Sequence, residues 1–187
     1  MASISEQKSL GFITVRLHPE HGYFGGLLLV NQLARPLEFH CTLPIKPSRA
    51  QSILYGPTLD DFLCGEQIAR ALALKSKSPP FAFFTDTPAV LSLRNIVPQP
   101  IVLVESNIDA DSEGAATSLN HRPTGASRGY QRFKLAGYSL AILDDCSDDA
   151  EHIRSFWQQS DPQVDLGEPF GRIADALLEA HPTAKAA

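Results

Sequence analysis

The clearest hydrophobic pattern of the chain is an almost wholly apolar run at residues 24–30, followed by an alternating run at residues 37–43. The first run predicts a strand covered on both faces, in which Gly25 and Gly26 mark a bulge or a close backbone approach. The second run predicts a strand with one side towards the core. That side consists of Leu37, Phe39, Cys41 and Leu43. Together the runs predict an antiparallel hairpin, in which replacing Phe39 by alanine should cost roughly 3–5 kcal/mol.

One strand is predicted before this hairpin and two helices after it. Residues 11–17 alternate between apolar and polar positions. The inner residues of this strand are predicted to be Ile13, Val15 and Leu17. A first helix is predicted at 48–55 with Gly56 as its C-cap, and Thr58 is predicted to cap a second helix that extends to about Lys75.

The middle of the chain predicts a parallel strand–helix–strand unit and then a flexible segment. Residues 81–84 and 101–104 are short apolar runs, and residues 87–95 between them can form a short helix. A strand–helix–strand order of this kind is typical of a parallel βαβ unit. Residues 106–129 carry almost no large apolar side chain and are predicted to be a flexible loop.

The C-terminal part predicts a hairpin followed by two helices. Its strands are expected at 130–135 and 138–143, and Ser147 is expected to cap the first helix. The last helix begins at Pro169, and its spacing predicts a buried stripe. The stripe consists of Phe170, Ile173, Ala174, Leu177 and Leu178. We expect this stripe to dock on the core of its own chain, because a short helix is marginally stable alone.

The order of these elements predicts an α/β fold with a mixed α+β sheet. The predicted core covers residues 11–105, and residues 130–181 form a C-terminal α/β part that packs on it. Residues 1–10 are expected to be a flexible N-terminus and residues 182–187 a tail. The order over 11–105 is similar to that of the ribonuclease H-like fold. The block RPLEFHCTLP…ILYG also resembles an uncharacterised bacterial protein family with no known activity.

Composition and charge narrow the classes of protein. The 187 residues are 43% hydrophobic and 20% charged, which is typical of one soluble globular domain. The start has no long apolar segment, and no apolar run is long enough to span a membrane. The three cysteines lack the spacing of a metal site. A cytoplasmic protein with reduced thiols is therefore expected. Residues 101–187 hold seven Lys and Arg against fourteen Asp and Glu, which argues against a chain that mainly coats nucleic acid.

The resemblance to ribonuclease H-like nucleases implies a specific site. These enzymes hold two Mg²⁺ ions with carboxylates on the first strand, on a nearby element and at the end of the fourth strand. Asp86 matches the end of the fourth strand, and Glu38 and Glu105 are the companions that could lie nearby. The first strand, however, contains no acid, and Arg16 is its one charged residue.

Other residues offer weaker chemistry. Glu38 and His40 share a strand face and form either an acid–base pair or a plain polar outer face. His18 and His21 flank one loop and form either a metal clip or an ordinary loop. A small binding surface is also predicted, with Arg35, Lys46 and Arg49 as a basic patch and Tyr55 as a partner contact.

The favoured interpretation is a non-enzymatic cytoplasmic α/β module that binds another macromolecule, protein before nucleic acid, with a homodimer as one form. It needs no cofactor and no membrane. The rival is a metal-dependent ribonuclease H-like phosphodiester hydrolase that uses Mg²⁺ with Glu38, Asp86 and Glu105, with His40 as a further catalytic candidate.

Overall fold

Seven strands form one mixed sheet in the part of the chain that the structure, a computed structural model, describes: residues 8–107 and 129–181. The strand order across the sheet is β3-β2-β1-β4-β5-β7-β6. The strands are β1 Leu10–His18, β2 Gly22–Val30, β3 Pro36–Cys41, β4 Ala82–Thr85, β5 Ile101–Asn107, β6 Tyr130–Leu135 and β7 Tyr138–Leu143.

The strand pairing confirms the predicted fold class. β1, β2 and β3 form an antiparallel meander, and β4 and β5 run parallel to β1. β7 and β6 continue the same sheet as an antiparallel hairpin. The first five strands therefore have the predicted ribonuclease H-like order, and the C-terminal hairpin extends their sheet.

Helical segments cover both faces of the sheet. The α-helices are α1 Arg49–Tyr55, α2 Arg70–Lys75, α3 Asp148–Ser160 and α4 Glu168–Ala180. A π-helical segment, Asp61–Ala69, leads directly into α2, and a 3₁₀ segment, Pro88–Asn95, connects β4 to β5. Shorter 3₁₀ turns lie at Gly56–Thr58 and Asp144–Cys146. None of the helices within the described residues is long and apolar enough to cross a membrane.

Each face of the sheet has its own hydrophobic core. The face covered by α3 and α4, here called the C-terminal face, buries Phe12 and Phe84 against residues such as Ile153 and Ile173. The opposite face, here called the central face, is covered by the π-helical segment, α2 and the segment Pro88–Asn95. Two-sided coverage explains why every residue from Leu10 to Val15 is buried.

The paired glycines of β2 let a helix approach the sheet on each face. A Cβ atom on Gly25 would lie 2.5 Å from Cγ2 of Ile68 in the π-helical segment, and one on Gly26 would lie 2.5 Å from Cγ2 of Ile173 in α4. Because neighbouring residues of a strand point to opposite faces, the two contacts are on opposite sides of β2. The close approach predicted at these glycines is confirmed.

The docking of the last helix on its own chain is also confirmed. Phe170, Ile173 and Leu177 of α4 are buried in the core of the C-terminal face, and the Phe170 ring lies 5.6 Å from that of Phe12. Leu178 is at the margin of the stripe, with 38% of its surface exposed.

The predicted helix starts are correct in position at Ser48 and Ser147 and wrong at Thr58. Ser48 caps α1 in a capping box, with its hydroxyl accepting from Gln51 N and the Gln51 side chain accepting from Ser48 N. Thr58 is not a cap, because its hydroxyl donates to the carbonyl of Tyr55 inside a continuing helical turn. Ser147 makes no capping hydrogen bond with its side chain.

Two predicted inner faces are wrong in part, although Ile13 and Val15 of β1 are buried as predicted. Leu17 near the end of β1 is 61% exposed. In β3, Leu37 and Phe39 are 54% and 39% exposed, and Leu43 beyond the strand is 78% exposed. β3 is the outermost strand of the sheet, and α4 packs on β1 and β2 rather than on β3. The large cost predicted for Phe39→Ala therefore has no basis in burial.

The predicted flexible loop at 106–129 lies mostly outside the described residues, as do residues 1–7 of the predicted N-terminus and residues 182–187 of the predicted tail.

Candidate functional site

Asp86 follows β4 directly, and three side chains hold its carboxylate. Oδ1 accepts hydrogen bonds from Thr14 Oγ1 at 2.6 Å and from Thr87 Oγ1 at 3.1 Å. Oδ2 accepts from Arg16 Nη2 at 2.7 Å. β1 is parallel to β4, so Thr14 and Arg16 are the first-strand residues that reach Asp86.

This arrangement does not favour a cation at Asp86. Hard cations such as Mg²⁺ need clustered carboxylate or carbonyl oxygens. Here both carboxylate oxygens are engaged, and the Arg16 guanidinium already supplies the positive charge that balances Asp86. The group of Thr14, Arg16 and Asp86 instead ties the ends of β1 and β4 together.

Glu105 is directed away from Asp86. Its two carboxylate oxygens accept from Arg132 Nε at 3.0 Å each, and Ser139 Oγ donates to Oε2 at 3.3 Å. Arg132 is on β6 and Ser139 on β7, which lie on the side of β5 opposite to β4. The hydrogen bonds to Glu105 raise the pKa of Arg132 above its ordinary value.

Glu38 is still farther from the other two carboxylates. It lies on β3, which is separated from β4 by β2 and β1, a distance of roughly 14 Å at the usual strand spacing. Its Oε2 contacts His40 Nε2 at 2.9 Å and accepts from the backbone N–H of Lys77 at 3.0 Å. These two contacts, the one to His40 first, lower the pKa of Glu38.

The three predicted carboxylates, Glu38, Asp86 and Glu105, therefore do not converge, and each is bound by its own partner. Across residues 8–107 and 129–181, no three His, Cys, Asp or Glu side chains are grouped so that they could hold a metal ion. The residues present do not fit the two-cation site that the resemblance implied.

Addition of Mg²⁺ or Mn²⁺ at millimolar concentration is expected to leave the melting temperature of the full chain unchanged. Specific binding to the folded state would raise it by mass action. Differential scanning fluorimetry measures the shift, with NaCl of equal ionic strength as the control. A metal-dependent rise that disappears in Asp86→Asn would contradict this expectation.

The Glu38–His40 pair is a polar feature of β3 rather than an isolated acid–base couple. Glu38 is opposite Leu29, a residue of the central face core. Through the Lys77 N–H, which follows α2, Glu38 also ties β3 to the end of that helix. His40, the remaining predicted catalytic residue, contacts a carboxylate. That carboxylate belongs to Glu38, two residues earlier in the same strand.

The predicted basic patch is divided. Arg35 precedes β3, whereas Lys46 and Arg49 follow it, so the length of the strand separates them. A six-residue strand spans about 20 Å. Tyr55 stacks on Phe62 with ring centroids 4.0 Å apart, which fixes the aromatic ring at the helix break.

The loop after β1 does not present a metal clip. The rings of His18 and His21 stack, with centroids 4.6 Å apart. Nδ1 of His18 accepts the backbone N–H groups of Glu20 and His21, so the ring proton of the neutral form is on Nε2. A protonated Nε2 has no lone pair for a metal. This atom is buried and has no hydrogen-bond partner among the described residues.

Burial makes two of the three cysteines, Cys64 and Cys146, weak nucleophiles. All three are free thiols. Burial raises the pKa of Cys64 to about 12, and burial also raises the pKa of Cys146. A raised pKa keeps the thiol protonated and weakly nucleophilic at neutral pH.

The outer edge of β3 is the feature of the surface that the sequence prediction missed. Thr42 N donates to Gly25 O, which sets the alternation of hydrogen bonds between β3 and β2. By that alternation, the N–H and C=O groups of Glu38 and His40 point to β2. Those of Phe39 and Cys41 point outward, and their side chains are apolar and exposed or half-buried. The register with β2 shifts between Glu38 and Pro36, so the alternation does not extend to Leu37, whose apolar side chain is exposed.

The opposite edge of the sheet is protected. β6 exposes Gln131, Arg132 and Lys134, and charged side chains on an edge strand oppose pairing with another strand.

The position of β3 at the edge of the sheet could have been predicted from the sequence, because the ribonuclease H-like order itself has the third strand outermost.

Comparisons with known proteins assign no family. No family model matches the chain, and a search of curated proteins finds no match. A solved structure of Endonuclease V from Ciona intestinalis, in complex with a 23mer DNA containing an inosine followed by a ribo-adenosine, is similar at 12% sequence identity and a TM-score of 0.38. The similarity covers 75% of this chain and 72% of that one. A likeness of this size carries no argument about activity.

Proposed function

We propose that the chain is a non-enzymatic module that binds another protein by adding a strand to the outer edge of β3. One observation supports this most strongly: Phe39, whose backbone groups face outward from β3, also carries an exposed apolar side chain. In β-strand addition, main-chain hydrogen bonds supply affinity and alternate side chains supply specificity. Phe39 has both features, the half-buried Cys41 adds outward backbone groups, and Leu37 adds an exposed apolar side chain.

The contrast between the two edges of the sheet supports a binding role for β3. An exposed apolar edge strand promotes pairing with another chain, and proteins usually prevent this with charged residues. Charged residues protect β6, whereas Leu37 and Phe39 on β3 are apolar and exposed. Pro36 and the register shift next to it confine the open part of the β3 edge to the residues around Phe39 and Cys41.

A protein partner fits this surface better than a nucleic acid. Binding to nucleic acid needs clustered Lys and Arg side chains against the phosphates. Arg35 is separated from Lys46 and Arg49 by the length of β3, and the chain has a net charge of −5. The free thiols agree with a cytoplasmic setting, which remains part of the proposal.

The metal-dependent phosphodiester hydrolase is the less supported alternative. It would require donors other than Glu38, Asp86 and Glu105, whose carboxylates are bound to separate partners.

Selection of random peptides on the full chain, immobilised at low density as single molecules, tests the proposal. Selected peptides are expected to alternate apolar and polar residues, and Phe39→Lys should weaken their binding at least tenfold, about 1.4 kcal/mol. Lys134→Glu on the opposite edge is the matched control and should leave the affinity unchanged.

Hydrogen exchange locates the binding. The amide protons of Phe39 and Cys41 should exchange quickly in single, unpaired chains and slowly with peptide bound, while those of Glu38 and His40 stay protected throughout. Peptides that bind Phe39→Lys as tightly as the original chain would overturn the proposal.

A further inference from the structure

We infer that the strand received at this edge is β3 of a second copy of the chain, so that the protein forms a closed two-fold dimer; this rests on the proposed function. The outward backbone groups belong to Phe39 and Cys41. A two-fold axis at Phe39 pairs Phe39 with its equivalent and sets Leu37 opposite Cys41 of the second copy. The Phe39 pair exchanges two hydrogen bonds, and the outward groups of Cys41 in each copy face the other strand.

Side-chain complementarity favours this register over its neighbours. With the axis at Phe39, Glu38 of each copy lies opposite His40 of the other, and a carboxylate can accept a hydrogen bond from an imidazole N–H. With the axis at Glu38, two carboxylates would face each other, and like charges opposite each other destabilise a strand pair. With the axis at His40, neither Glu38 would face an imidazole of the other copy. Glu38 and His40 already contact each other at 2.9 Å within one copy, so pairing produces an alternating group of four.

The same register would also bury exposed apolar side chains of β3. Leu37 and Phe39 are on the C-terminal face of β3, since Phe39 is opposite Leu28, a residue of that core. Their exposed fractions of 54% and 39% would fall when the same two side chains of the second copy lie beside them. The polar pair and the apolar pair thus occupy opposite faces of the joined sheet.

The β6 edge of the sheet explains why the assembly would stop at two copies. Pairing β3 with β3 leaves β6 at both ends of the joined sheet, and its exposed Arg132 and Lys134 oppose further addition. The contact is isologous, so it closes at two copies instead of continuing as a fibre.

Light scattering after size exclusion, over a series of micromolar concentrations of the full chain, measures the oligomer. The original chain and Lys134→Glu should be dimers. Phe39→Lys should weaken the dimer at least a hundredfold, and His40→Glu at least tenfold, because it sets Glu38 against a carboxylate. The exchange Glu38→His with His40→Glu should recover most of the loss. Circular dichroism confirms that each variant folds.

Disulfide trapping tests the register. In a Cys146→Ser background, Leu37→Cys should cross-link to Cys41 of the second copy, because directly opposed residues have Cα atoms about 5.5 Å apart. Leu37→Cys with Cys41→Ser should not cross-link, whereas Phe39→Cys with Cys41→Ser should.

A chain that is monomeric at every concentration, or a dimer that Phe39→Lys leaves intact, would overturn this inference. If the chain is monomeric yet the edge still takes selected peptides, the dimer is wrong and the proposed strand addition stands. If it is monomeric and no peptide binds at Phe39, both are wrong.

Discussion

A chain ending at Asp165 is expected to unfold or aggregate. The truncation removes α4 and with it Phe170, Ile173 and Leu177, together with the fully buried Leu166. Each large side chain contributes roughly 1.5–3 kcal/mol by burial, so the loss is roughly 6–12 kcal/mol. The whole free energy of unfolding of a domain is roughly 5–15 kcal/mol, so little stability would remain.

Circular dichroism and urea unfolding measure this loss. Ile173→Ala, which keeps the helix but removes the contact with Gly26, should cost about 2–5 kcal/mol. Leu178→Ala is the matched control on the exposed margin of α4 and should cost much less. A truncated chain with an unchanged unfolding midpoint would show that α4 is not needed to seal the C-terminal face.

Replacing Phe84 by alanine is expected to cost about 3–5 kcal/mol, while Phe39→Ala should cost well under half of that. Phe84 is fully buried, and its ring lies 5.3 Å from that of Phe12 and 5.8 Å from that of Trp157. Removing it leaves a cavity between β4, β1 and α3. Phe39 is on the outer strand and is 39% exposed, so water already reaches it.

The comparison is made by urea unfolding at a protein concentration low enough to keep copies apart. Equal losses in the two variants would mean that β3 is buried in solution in a way that the single chain does not account for. The pair therefore tests the corrected position of β3 and not only the core.

Local sequence was sufficient to predict the strands that are buried on both faces. The run at 24–30 and the short runs in β4 and β5 are continuous because helices cover them on two sides, and this coverage leaves a direct signature in the residue types. The stripe of α4 was equally informative, since Phe170, Ile173 and Leu177 follow the period of an α-helix.

The alternating pattern of β3 was insufficient to predict which of its residues are buried. The pattern assigns residues to the two sides of the strand, but it does not show which side is covered by another element. Leu37 and Phe39 share one side, as expected, but the helix that covers the inner strands packs on β1 and β2. Only the position of β3 in the sheet decides its burial. That position follows from the strand order and not from residues 37–43.

The predicted carboxylates do not converge, for a related reason. Spacing along the chain brought Asp86 and Glu105 to neighbouring strand ends, but side-chain direction decides whether carboxylates meet. Arg132, which is on β6 and comes 27 residues after Glu105, turns that carboxylate away from Asp86. No short-range pattern contains this information.

The contact of Gly26 with Ile173 has a consequence for synthesis on the ribosome. Ile173 follows Gly26 by 147 residues, so at about 5–20 residues per second the chain grows for about 7–30 s between them. During that time the first three strands can pair, because their connections are short, yet Phe12 and Leu28 have no helix to cover them. The newly made N-terminal meander is therefore expected to expose apolar surface of the kind that chaperones bind until α4 emerges, and conditions that slow elongation should increase its aggregation.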